Sequence, residues 1–65
     1  MRGVKADMKE FYKIANFVFN KTGQQSNLGW EYEVREEVGN DYYQYRNIYA
    51  ANYEELFEYA MEDEE

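Results

Sequence analysis

The apolar inventory of this chain limits its fold more than any other feature. Its 65 residues hold eight Tyr, four Phe and one Trp, but only two Leu, two Ile and four Val. A core built from such residues is amphipathic, because each Tyr ring packs while its hydroxyl needs a partner or water. Tyr is also enriched at protein interfaces, so the same rings can serve a core or a contact surface. A chain this short forms one domain and buries only about 60% of the surface its unfolded form exposes. Support from outside the core is therefore expected. Cys and His are both absent. No disulfide framework, thiolate ligand or imidazole base can form.

Hydrophobic spacing divides the chain into four elements. Met8, Phe11, Ala15 and Val18 recur at intervals of three and four, widened by Tyr12, Ile14 and Phe19, which predicts a helix from Val4 to Lys21. Gly23 would stop it. On that helix Lys5, Lys9 and Lys13 would form one basic line, and Phe17 would fall off the apolar stripe. Residues 24–29 read as a polar loop. Trp30-Glu31-Tyr32-Glu33-Val34-Arg35 alternates strictly, which predicts a strand with Trp30, Tyr32 and Val34 facing in. Gly39-Asn40-Asp41 marks a turn. Residues 42–49 then suit a second strand, although Tyr42, Tyr45, Ile48 and Tyr49 also have helical spacing. Asn52 and Glu55 have the spacing of a capping box, and Tyr53, Leu56, Phe57, Ala60 and Met61 make one apolar helical face behind it. Residues 62–65 read as a mobile acidic tail. The predicted fold class is α+β, a small single α-β-β-α domain with a β-hairpin packed on two helices. Because an isolated hairpin is marginal, a homodimer that joins two hairpins into a four-stranded sheet is expected.

The net charge of −7 is unevenly placed. Residues 1–29 carry five basic and two acidic side chains, and residues 30–65 carry two basic and twelve acidic ones. The second part, at −10 formally, would repel nucleic acid and anionic membranes, and its complement is a basic partner. No apolar run approaches membrane-spanning length and no secretory signal is evident, so a soluble cytoplasmic protein is expected. An enzyme is not. The four glycines are isolated, no Ser-His or Cys-His pair exists, and the adjacent carboxylates Glu36-Glu37 and Glu54-Glu55 diverge without a desolvating pocket. No cofactor or metal site is expected either, since the acids lack calcium-loop spacing.

What remains is the acidic surface. Glu31 and Glu33 would sit about 6.8 Å apart on a strand, and Glu54 and Glu58 about 6 Å apart on a helix. Duplex DNA carries a charge every ~3.4 Å per strand, so rigidly held carboxylates at such intervals can offer a basic groove several anionic contacts at once. Candidate partner-binding residues are Glu31, Glu33, Glu36, Glu37, Asp41, Glu54, Glu55, Glu58 and Glu62, with Tyr43 and Tyr45 as aromatic anchors. A very short, acidic, Tyr-rich chain that lacks Cys and His and ends in Glu resembles the small host-takeover proteins of bacteriophages. Some of these are DNA mimics, among them a Bacillus phage inhibitor of the nucleoid protein HU, anti-CRISPR proteins and uracil-glycosylase inhibitors. The resemblance implies an inhibitor that occupies the DNA-binding surface of a basic, HU-like host protein in the host cytoplasm. The alternative is a small regulatory or assembly module that binds through its Tyr-rich surface, with the acids only keeping it soluble.

Overall fold

The computed structural model describes residues 8–62. They form an antiparallel meander, β1 (Phe11–Ile14), β2 (Phe17–Ser26), β3 (Gly29–Val38) and β4 (Asp41–Ala50), followed by one helix, α1 (Tyr53–Glu62). The four strands make a single sheet in the order β1-β2-β3-β4. The expected α-β-β-α arrangement is therefore corrected. The first half is a β-hairpin, and four strands lie within one chain without a partner. Val4 and Lys5, where the expected helix began, lie outside the described residues, as does the tail at 63–65.

The first half folds as strands because its residues prefer them. Phe11, Tyr12, Ile14, Phe17, Val18 and Phe19 are aromatic or β-branched, types that pack well on a pleated surface and lose rotamer freedom in a helix. The reversal at Ala15-Asn16 carries no glycine, and Ala15 takes a left-handed φ of 56° to make it. The Glu37 N–H donates to the Asn16 carbonyl at 2.8 Å, tying this turn to β3. Phe17, expected off the apolar stripe, is buried. The β3–β4 hairpin and the C-terminal helix lie where the periodicity placed them. Residues 42–49 are strand.

Alternation sorts the side chains onto two faces. One face presents the cross-strand rows Ile14–Phe17–Glu36–Tyr43, Tyr12–Phe19–Val34–Tyr45 and Lys21–Tyr32–Ile48. α1 crosses this face and inserts Leu56 and Ala60. The Tyr59 ring meets Phe17 and Phe19 edge-on at 5.8 and 6.0 Å. Met8, Ile14, Phe17, Phe19, Tyr32, Val34, Ala50, Leu56 and Ala60 make the core. Tyr32 shows how a tyrosine core satisfies its hydroxyl: the ring is fully buried, and the OH donates to the Lys9 carbonyl at 2.7 Å. Burial, helped by the nearby Tyr12 and Glu10, pushes the Tyr32 pKa up to about 12. Lys21 closes the far end of this face. Its Nζ donates to the Met8 carbonyl at 2.7 Å and sits 4.1 Å above the Trp30 ring.

The other face has no helix over it among the described residues. It carries Lys13, Val18, Arg35 and Gln44 in one row, with Phe11, Asn20 and Glu33 in another. Val18 is buried here, paired with Lys13 on one neighbouring strand and Arg35 on the other. Gly29 fixes the passage from sheet to helix. Its φ is 125°, and a Cβ built there would overlap the backbone of Ala50 and Ala51.

Candidate functional site

The fold distributes the eleven candidate residues over three places. Glu31, Glu33 and Glu37 lie on the open face of β3. Glu36, Asp41, Tyr43 and Tyr45 lie on the opposite face, toward the β3–β4 turn. Glu54, Glu55, Glu58 and Glu62 lie on α1. The sheet separates Glu31, Glu33 and Glu37 from the helix acids, whereas Glu36 and Asp41 lie on the same side of the sheet as α1.

On the open face the carboxylates are largely engaged. Glu37 pairs with Lys13 at 3.1 Å, an exposed contact that contributes little to stability. Glu31 accepts from Thr22 Oγ1 at 2.7 Å and from Asn47 Nδ2 at 3.4 Å. The Arg35 guanidinium lies 5.0 Å from the Tyr42 ring, adding a cation to the same surface. The line of Lys5, Lys9 and Lys13 dissolves once β1 replaces the helix. Lys9 precedes β1, Lys13 is on the open face, and Lys5 lies outside the described residues. Near the turn, the Tyr45 hydroxyl donates to Glu36 Oε1 at 2.7 Å, and its ring packs 5.9 Å from Phe17. Tyr45 is thus tied into the fold, whereas Tyr43 is 60% exposed.

On α1 the four glutamates have two roles. Glu55 is a capping residue: its N–H donates to Asn52 Oδ1 at 3.1 Å, and its Oε1 accepts from the Ala51 N–H at 2.8 Å. Glu54, Glu58 and Glu62 are exposed and follow one another at intervals of four, so they form a row with steps of about 6 Å on the outer surface. No ion pair engages this row among the described residues, and α1 has no basic residue in its last turn. Beside the row runs an open groove of about 350 Å³ lined by Phe57, Glu58, Met61 and Glu62. Tyr53 and Phe57, read from periodicity as core, are 46% and 44% exposed. Their rings lie 6.3 Å apart, and Tyr53 leans on Tyr12 at 5.4 Å. Leu56 and Ala60 are buried against the sheet and Tyr59 and Met61 pack beside them, so Phe57 is left on the flank beside the acids. The sequence carried a signal for this: with Tyr59 counted, the apolar arc of α1 is wider than one sheet face can cover.

Chemically, the α1 surface couples fixed negative charge to an apolar groove. Such a surface suits the aliphatic stem and cationic head of Lys or Arg. No group of three or more acids converges as a metal site among the described residues. Among the described residues no helix is long and apolar enough to cross a membrane. The chain matches no protein-family model, no curated protein and no solved structure.

Proposed function

We propose that the protein is an acidic binding protein that occupies the basic, nucleic-acid-binding surface of another protein, with α1 as the contact. The observation that carries this reading is the row Glu54, Glu58 and Glu62, exposed, without a cation among the described residues and flanked by the Phe57–Met61 groove. A rigid helix holds the carboxylates at repeating steps, so a partner built to follow a phosphate backbone meets several anions in register. Phe57 and Met61 supply the desolvated contact that charge alone lacks. A nucleoid protein of the HU type is the host partner implied by the phage resemblance. The test is capture of such a purified basic protein with duplex DNA as competitor. DNA should displace the protein, and raising salt from about 50 to 200 mM should weaken binding several-fold. Capture that DNA does not reduce would count against mimicry.

A second reading has its own observation. Tyr42 and Tyr49 are exposed along β4 on the open face, a surface suited to assembly through aromatic contacts. The two readings separate on mutation. Replacing Glu54, Glu58 and Glu62 by Gln abolishes capture under the first reading and leaves it unchanged under the second. Replacing Tyr42 and Tyr49 by Ser does the reverse.

A further inference from the structure

We infer that the outer edge of β4 pairs antiparallel with the same edge of a second copy of the chain, about a two-fold axis at Tyr43. The sheet has two outer strands. β1 has only four residues, and short edge strands are poor templates for pairing. β4 has ten, and residues 41–47 are all exposed. Among the described residues no further strand pairs with the outer edge of β4. Of the usual protections of a long edge it has no Pro and no Lys, and its bulge and Arg46 come after Tyr45, outside the regular Asp41–Tyr45 ladder.

Charge selects a copy of the same chain as the occupant. Two molecules of net charge −7 repel through most of their surfaces. Along β4, Asp41 and Arg46 cancel, and the remaining exposed residues of the strand are neutral. This strip lets two copies approach without like charges meeting. It also answers the need of a 65-residue chain with a small core for support beyond that core.

The register follows from the bulge. β4 pairs regularly with β3 from Asp41↔Val38 to Tyr45↔Val34, and then slips, so that Ile48 faces Tyr32. The regular ladder is thus Asp41–Tyr45, and its midpoint is Tyr43. Pairing about that point sets Tyr43 against its own copy, Tyr42 against Gln44 and Asp41 against Tyr45, with no like charges opposed. Because paired positions keep the same face, both helices lie on one side of an eight-stranded sheet.

Sedimentation equilibrium of the full chain over micromolar to sub-millimolar concentrations tests this, with two variants. The expected mass is twice that of the 7.9 kDa chain. Tyr43→Lys should shift it to a single chain while leaving the circular dichroism spectrum unchanged. The chain has no native Cys, so Tyr43→Cys should form a disulfide-linked dimer on mild oxidation much faster than Gln25→Cys, a surface control at the far end of β2. If Tyr43→Lys fails to fold, the wild-type mass and the cross-linking rates still decide. A wild-type monomer throughout the range would overturn the inference. So would a dimer whose Tyr43→Cys variant cross-links no faster than the control.

Discussion

At the scale of single residues, Tyr32 condenses the logic of a core made from rings. Its hydroxyl bond to the Lys9 carbonyl lets a polar side chain be fully buried. Tyr32→Phe should cost about 1 kcal/mol near neutral pH, measured by denaturant unfolding, because the Lys9 carbonyl loses its donor. The same residue sets a pH dependence. Its folded pKa of about 12 stands above its ordinary value of 10.0. The stability that follows from this is complete below pH 10 and is lost as pH rises toward 12, because the unfolded chain releases the proton first. The loss should reach about 2–3 kcal/mol, and the Tyr32→Phe variant should lack that component. Two backbone positions make opposite predictions. Ala15 occupies a left-handed conformation that costs an L-residue about 1–2 kcal/mol, so Ala15→Gly should raise the melting temperature. Gly29→Ala should lower stability by at least about 2 kcal/mol, since the new Cβ meets backbone that cannot yield.

Legibility differed from element to element, for physical reasons. β3 was readable because strict alternation from Trp30 to Arg35 has no helical counterpart, and α1 because Asn52 and Glu55 sit at capping distance. β1 and β2 are not legible in the same way. Met8, Phe11, Ala15 and Val18 happen to repeat at helical intervals, and the turn between the strands uses Ala and Asn where a Gly would have broken the pattern. Tertiary pairing with β3 outweighed that local periodicity. The candidate site meets the same limit. Each acid is visible in the sequence, but which acids share a face with α1 depends on the pairing: Glu31, Glu33 and Glu37 fall on the open side, and Glu36 and Asp41 on the side of α1. α1 itself carries a conflict. Glu54, Glu58 and Glu62 repel along one line, and Glu62 stands at the end where the helix dipole disfavours an acid. Replacing all three by Gln should stabilise the fold by a few tenths to about 1 kcal/mol in thermal unfolding, even as it removes binding. Asn52→Ala should instead cost about 1 kcal/mol through the lost cap.

For the whole molecule, the arrangement is a division of labour between surfaces. One sheet face is closed by α1, and the open face is balanced by Lys13 and Arg35. On the outer surface of α1 negative charge stands without a cation among the described residues, beside exposed Phe57 and half-buried Met61. The central claim is that this surface, rather than the acids of β3, binds a basic nucleic-acid-binding protein. Calorimetric titration of such a protein with the wild type and two variants tests it most directly. Replacing Glu54, Glu58 and Glu62 by Gln should weaken binding about 10-fold or more, as the sum of three exposed charge contacts. Replacing Glu31 and Glu33 by Gln should leave affinity within about two-fold, a margin smaller than one such contact. Equal affinity for the wild type and the helix variant, or a larger loss from the β3 variant, would contradict the account.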